Sequence, residues 1–481
     1  MEPFRFHLFV CTQQKPEGVP SCPASGSFAV LGEFDRELRA RGLDHEVQLT
    51  TCGCMGLCDE GPVIVVYPAA VWYRRVQPSD AAEIVAAHLG NGRPVGRLLW
   101  NDGLAMKAMA LEHTEKFREA MAAREKAGTL PDRLDQMIRG YMPSRCLLTA
   151  LELDLFTAVG DGSSAPQIAE KIHANARAAA MLLNALVALG LLSKTAGVYN
   201  NTPESARFFA QGSKDNHRNG LLHVANIWHR WSTLTDAVRT GARVPLDLHN
   251  RERDHNAEWS RDFIAAMQRN AKDRAPMLVK ALATASAASG AMPSAASGAA
   301  SGGASNIRHS NIRRILDLGG GSGAYSIAFA KANPDVLSEI LDVEEVVPLT
   351  AEYVRQAGVS AQVKVRAGDM LHDDFGSGYD LILLNAICHM FSEEQNQDLF
   401  HRAYRALAPN GRLAVQDFIL NPDKTGPQHA ALFSLNMLVS TDAGASYNEA
   451  EYTDWMSAAG FADLCRINLP APSSLIVGSR K

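Results

Sequence analysis

Residues 313–330, RRILDLGGGSGAYSIAFA, decide the fold of the C-terminal part of this chain. The segment ILDL reads as a buried strand, the glycines at 319, 320, 321 and 323 as a turn, and YSIAFA as the start of a helix. Glycines at such a junction let the backbone approach a ligand closely, and the unpaired N–H groups of the helix start favour a carboxylate or phosphate. Taken alone, Gly319-x-Gly321-x-x-Ala324 also fits a dinucleotide fingerprint. Downstream, strands and helices alternate through EILDV, QVKVRAGD, YDLILLN, a helix over 393–408, GRLAVQDFIL and a late strand in SSLIVGSR. That alternation predicts a Rossmann-like, mostly parallel, doubly wound α/β domain over 307–481.

The acids that end these strands refine the ligand. Asp342 ends the second strand, where a carboxylate can accept both ribose hydroxyls, and Asp369 and Met370 end the third, where an acid and a thioether can hold the edge and face of an adenine. With Asp317, Gly319 and Gly321 they form a set that looks like an S-adenosylmethionine site, a nicotinamide cofactor being the alternative.

The other end of the chain carries a different signature. Cys11, Cys22, Cys54 and Cys58 stand as Cys-x10-Cys, a long gap and Cys-x3-Cys. Four thiolates can hold a [2Fe–2S] cluster. Tetrahedral zinc also takes four cysteines, but it usually presents two short knuckles, and the first pair here is too wide. Cys52 is an extra thiol close to a ligand position. Around these cysteines the patterning predicts a β-α-β-β-β-α domain over 1–100, with FRFHLFVC as first strand, GSFAVLGEFDRELRAR as helix, HEVQL, GPVIVVYP and VWYRRV as strands, and SDAAEIVAAHL as closing helix.

Between the two ends, 101–215 reads as a charged helical connector followed by a winged-helix arrangement, with VYNNTPESARFF as the wing. Its third helix carries Arg177 and little other positive charge, so a packing or dimerisation role is expected rather than DNA binding. Helices over 216–283 are expected to line a substrate pocket, with Trp228, His229, Phe263 and Met267 joined by Asn436 and Met437 from farther on. Residues 284–306 are almost entirely Ala, Ser and Gly and read as a flexible loop.

Two resemblances follow from these motifs. Residues 5–97 resemble the thioredoxin-like [2Fe–2S] ferredoxins, through GCMGLCDEGPVIVVYP, VWYRRV and AAHLGNGRPV. That resemblance implies Cys11, Cys22, Cys54 and Cys58 as ligands and an electron-transfer partner. Residues from about 130 to 481 resemble the plant-type and hydroxyindole-type O-methyltransferases, through DLGGGSG, LDVEEVV, AGDM, YDLILLNAICHMFSEEQ, PNGRLAVQDFIL and YTDWMSAAGF. This second resemblance implies a homodimer, S-adenosylmethionine as cofactor and a small hydroxylated aromatic or polycyclic acceptor. It also makes His389 the catalytic base and Asp417 the acid that orients it. Two positions depart from the family pattern: Ser446 stands where a second orienting acid is usual, and Asn385 where a lysine is usual.

Bulk properties agree with a soluble multidomain enzyme. The chain has 481 residues, 46% hydrophobic and 21% charged, with a formal net charge of -5. No basic stripe suggests nucleic acid, no long apolar run suggests a membrane span, and no signal peptide is read, so a cytoplasmic location is expected. Three functions come into question for such a chain. The first is an O-methyltransferase with a fused ferredoxin domain that transfers electrons or senses redox state. The second is a methyltransferase fold turned to reduction or hydroxylation. The third, a non-enzymatic electron carrier, conflicts with the intact glycine loop, Asp342 and the Gly-Asp-Met triplet.

Overall fold

The computed structural model describes residues 3–15, 19–245, 257–287, 312–470 and 472–481. They fall into two compact units, Met1–Tyr141 and Met142–Lys481.

The first unit opens with β1 (Phe6–Cys11), a helix over Ser27–Ala40, β2 (Val47–Cys52), β3 (Ile64–Tyr67) and β4 (Val71–Tyr73), then a helix from Ala81 that runs on to Gly90. This is the expected β-α-β-β-β-α order. The sheet order is β2-β1-β3-β4, with β1 parallel to β2 and antiparallel to β3. Strand alternation explains the packing: Leu8 and Val10 turn into a core with Val30, Phe34, Leu38 and Ile84, while His7 and Phe9 turn away from it. Each such fully buried apolar side chain contributes roughly 1.5–3 kcal/mol of burial.

The sequence reading closes this domain at residue 100. In the structure packing continues past that point. The helix Gly103–Lys126, its first turn capped by Asp102 accepting from Ala105 N–H, lays Met106, Met109 and Ala110 on a small core of Leu57, Val63 and Trp100. The next helix, Asp132–Arg139, leaves Met137 and Ile138 67% and 62% exposed.

The second unit begins with the winged arrangement. Helices Leu155–Val159, Ala165–Lys171 and Ala176–Ala188 pack against a three-stranded sheet in which β7 (Val198–Asn201) lies between β5 (Ser163–Ser164) and β6 (Leu192–Thr195). Leu151, Phe156, Ile168, Leu183 and Tyr199 fill the centre. Helices Arg218–Trp231, Leu234–Thr240, Ala257–Lys272 and Ala275–Ala287 follow. The last of these takes in residues 284–287 of the Ala/Ser/Gly stretch. The rest of that stretch lies outside the described residues.

The final sheet has seven strands: β8 (Arg314–Leu318), β9 (Leu337–Asp342), β10 (Val363–Ala367), β11 (Tyr379–Asn385), β12 (Leu407–Asp417), β13 (Ala462–Asn468) and β14 (Ser474–Ser479). Their order is β10-β9-β8-β11-β12-β14-β13. The first five are parallel, and β14 runs antiparallel between β12 and β13. The chain winds outward from β8 to β10, then crosses back to β11 and winds the other way. The point of reversal lies between β8 and β11, and ligands of open α/β sheets bind beyond the strand ends at such a point. Among the described residues no helix is long and apolar enough to cross a membrane.

Candidate active site

The glycine turn follows β8, on one side of the reversal point. Gly319, Gly321 and Gly323 all have positive φ (+64°, +56° and +74°), which side chains disfavour. A Cβ at 319 would also lie 2.9 Å from Met370 Cε and strike the tip of Ile387, so those side chains would have to shift. A Cβ at 321 would meet only Ile264 Cδ1, at 3.8 Å, among the described residues. Asp342 Oδ2 accepts the Gly321 N–H at 2.8 Å and its Oδ1 accepts Val343 N–H at 2.8 Å, and burial raises the pKa of this acid. Met370 therefore sits against the glycine turn. Asp369 lies at the exposed rim, bonded to Leu371 N–H and His372, and those bonds lower its pKa.

Asp317 takes a different place from the one its motif suggested. It lies beneath the turn, fully buried, with Oδ2 accepting from Ser326 at 2.7 Å. Burial pushes its pKa up to about 7. The amide of buried Asn385, at the end of β11, stands beside this carboxyl and works against that rise.

Across the reversal point, β11 ends in a sharp turn at Ala386 (φ +57°), and a short 3-10 turn, Cys388–Met390, presents His389. β12 lies beside β11, so its last residue, Asp417, comes next to His389. His389 Nδ1 and Asp417 Oδ1 are 2.7 Å apart, and the pair is 6% and 2% exposed. Asp417 also accepts Phe418 N–H on Oδ1 (2.8 Å), and His389 N–H (3.1 Å) and the Tyr452 hydroxyl (2.9 Å) on Oδ2. With donors on every side the group acts as a carboxylate, which assigns the proton to Nδ1 and leaves Nε2 able to accept one.

Aromatic rings wall this histidine. Phe433, on the helix Gln428–Ser440, meets it edge-on at 4.8 Å, and Phe418 lies 6.0 Å from it and 4.4 Å from Phe433. Of the pocket residues expected from sequence, Asn436 on the same helix is tied to Trp231 Nε1 at 2.9 Å, and Met437 is buried. Phe263 packs on His223, and Trp228 joins the winged-helix core. His229 and Met267 are partly buried on their helices. Ser446 is buried with Oγ unbonded, in a loop pressed so close to the His389 turn that a Cβ on Gly444 would lie 3.0 Å from the Met390 carbonyl carbon. Phe418, Phe433 and Tyr452 escaped the sequence reading as site residues. Only the position of Phe418, directly after Asp417, could have suggested one of them.

The cysteines form a separate site in the first unit. Cys11 lies close enough to Cys22 and to Cys54 for the thiols to shift one another's pKa, and Cys54 Sγ lies 3.5 Å from Cys58 Sγ. The run is thus Cys22–Cys11–Cys54–Cys58. Gly56 N–H donates to Cys54 Sγ at 3.3 Å, and Lys15 Nζ to Cys58 Sγ at 3.1 Å. The long helix closes over this loop: Lys15 lies 5.4 Å above the Phe117 ring, His113 is paired with Asp59 at 2.9 Å, and a Cβ on Gly56 would meet Ala110 Cα at 2.9 Å. Among the described residues no group of three or more His, Cys, Asp or Glu side chains is placed so that it could hold a metal ion. Cys52 stands beside the run without joining it, and burial raises its pKa.

Comparison with known proteins accounts for the second unit. An O-methyltransferase domain family matches residues 304–462, and an O-methyltransferase dimerisation domain matches residues 135–211. A 3-hydroxy-5-methyl-1-naphthoate 3-O-methyltransferase of Streptomyces sahachiroi is 32% identical over 74% of this chain and 97% of its own. The tetracenomycin polyketide synthesis 8-O-methyl transferase TcmO of Streptomyces glaucescens is 28% identical over 73% of this chain and 97% of its own. The solved structure of PigF with S-adenosylhomocysteine, a protein of a Serratia strain, superposes with a TM-score of 0.60 at 26% identity, covering 73% of this chain and 99% of that one.

Proposed function

Because this chain belongs to the S-adenosylmethionine-dependent O-methyltransferases that carry a dimerisation domain, we propose that it methylates a phenolic hydroxyl of an aromatic, polyketide-type acceptor, with His389 as base. The observation that carries this reading is the His389–Asp417 pair, walled by aromatic rings and lying across the reversal point from the glycine cradle. The naphthoate and tetracenomycin relatives support a fused-ring acceptor.

S-adenosylmethionine supplies a methyl group on a sulfonium, whose sulfur keeps the electron pair when the C–S bond breaks. The residues here supply alignment and proton removal. Asp342 is suited to the ribose hydroxyls, Met370 and Asp369 to the adenine, and Gly319 and Gly321 to close backbone approach. Phe418 and Phe433 press the acceptor ring against His389. Nε2 accepts the hydroxyl proton as the oxygen attacks, and Asp417 stabilises the imidazolium that results. The test is mass spectrometry of products from hydroxynaphthoate acceptors. A gain of one methyl group with equal S-adenosylhomocysteine supports the reading. A two-electron change without methylation overturns it in favour of a transferase fold turned to redox chemistry.

For the first unit, the proposal is a thioredoxin-like ferredoxin domain whose Cys11, Cys22, Cys54 and Cys58 hold a [2Fe–2S] cluster. Such a cluster takes its thiolates as two pairs, one to each iron. A run of sulfurs with backbone and lysine N–H donors suits that better than the single-ion tetrahedron of zinc. The cluster would exchange electrons with a partner or report redox state. The test is the visible spectrum of anaerobically purified protein, before and after dithionite, with Cys58→Ser as control. Bands that bleach on reduction and vanish in the variant support it. A colourless protein containing zinc overturns it.

A further inference from the structure

Asp417 is held on two sides, and the sequence motif accounts for one of them. Oδ1 faces His389 Nδ1 and Phe418 N–H. On Oδ2, the only side-chain donor among the described residues is the hydroxyl of Tyr452, at 2.9 Å. Tyr452 lies on the helix Glu449–Ala458, whose start is fixed by a capping box between Asn448 and Glu451. Its ring is fully buried, edge-on to Tyr447 at 5.9 Å and to Trp455 at 5.7 Å, and tilted against Phe400 at 6.4 Å. A ring clamped on three sides has no other rotamer within reach, so the direction of its hydroxyl is set by packing. Burial, reinforced by the Asp417 charge, pushes the phenol pKa well up, so the group remains a donor. The loop in which a second acid would stand offers buried Ser446, whose Oγ is unbonded.

We propose that Tyr452 is a positioning residue of the methyl transfer: by fixing Asp417 Oδ2 it commits Oδ1 to His389 Nδ1 and keeps Nε2 directed at the acceptor hydroxyl. The inference rests on the reading of His389 as base. A donor to a carboxylate stabilises more than a neutral hydrogen bond, and its effect falls on orientation rather than on ligand affinity.

The test compares Tyr452→Phe, which keeps the ring and its packing, with His389→Gln. Each is assayed on the best-accepted hydroxynaphthoate and on a nitro-substituted analogue whose phenol is already ionised at the assay pH. If Tyr452 acts through proton removal, Tyr452→Phe lowers kcat about ten- to a hundredfold on the first acceptor. KM for either substrate stays nearly unchanged, and the loss shrinks to about threefold or less on the ionised acceptor. An equal loss on both acceptors identifies a merely structural role, and no loss on either shows that the hydroxyl is idle. Either result overturns the inference. His389→Gln separates the two levels: full activity of that variant on the neutral phenol removes the base assignment itself, whatever Tyr452 does.

Discussion

Replacing Asp417 by asparagine isolates the charge behind the imidazole while keeping the shape. Asp417 takes four hydrogen bonds, two on each oxygen. Asparagine keeps one oxygen and puts an NH2 group in place of the other. With its oxygen at the Oδ1 position it retains His389 Nδ1 and Phe418 N–H. Its amide then faces the His389 backbone N–H and a Tyr452 hydroxyl that can turn to accept. One buried backbone donor is left unpaired, at a cost of about 1–3 kcal/mol. The reverse orientation also faces the amide to Phe418 N–H and drives the imidazole to the wrong tautomer, so the first is preferred. Stability should therefore fall modestly, lowering the melting temperature by about 2 to 10 °C. Catalysis should fall much further. Nothing then balances the imidazolium, and general-base assistance accounts for roughly a 10²- to 10⁴-fold part of kcat, about 2.7–5.4 kcal/mol of barrier. Asp417 does not touch the glycine turn or Asp342, so S-adenosylhomocysteine affinity by calorimetry should stay within about twofold. A folded variant that binds S-adenosylhomocysteine normally and keeps kcat within about threefold of wild type would refute the assignment of His389 as a charged intermediate in turnover.

Three further outcomes are expected. Asp317 holds a proton in the folded state up to about pH 7 that the unfolded chain loses near its ordinary value of 3.8, so stability falls as pH rises between those limits and levels off above them. Asp317→Asn should flatten the melting temperature between pH 5 and pH 8 and raise it at the upper end; curves that run parallel to wild type refute this. Phe433→Ala removes the ring set edge-on to His389 and should raise KM for a small aromatic acceptor by about three- to tenfold while a bulkier acceptor is affected less, measured by steady-state kinetics on an acceptor series. Gly56→Ala combines a positive φ of +77° with a Cβ 2.9 Å from Ala110 Cα and should destabilise the first unit by about 1–3 kcal/mol, seen as earlier proteolysis within Gly103–Lys126.

What the sequence revealed depended on the range of the signal. The glycine turn, Asp342 and Met370 sit at strand ends, and period-two patterning locates strand ends well, so the cradle could be assembled before any coordinates. Asp317 shares that motif, yet its side chain points beneath the turn to Ser326 nine residues on, a direction that spacing alone does not give. Phe433 reaches the histidine from 44 residues away and Tyr452 reaches Asp417 from 35, on helices whose apolar positions look like ordinary core. The helix Gly103–Lys126 is charged on most of its surface and read as a connector. Only Met106, Met109 and Ala110 mark the stripe that packs, too short a pattern to announce burial. Lys15 reaches Cys58 from a loop of no regular structure, where sequence carries no directional information.

The seating of that helix bears on how such a chain can be taken apart or recombined. Leu57, Val63 and Trp100 are covered by methionines that lie past residue 100, so excision at the apparent domain edge would strip a hydrophobic patch bare. A free-standing relative would need polar substitutions at those positions. The cysteine-bearing unit is a tenant of its own tether: a cut before Gly103 leaves that surface to be remade, and a cut beyond Lys126 carries the cover along.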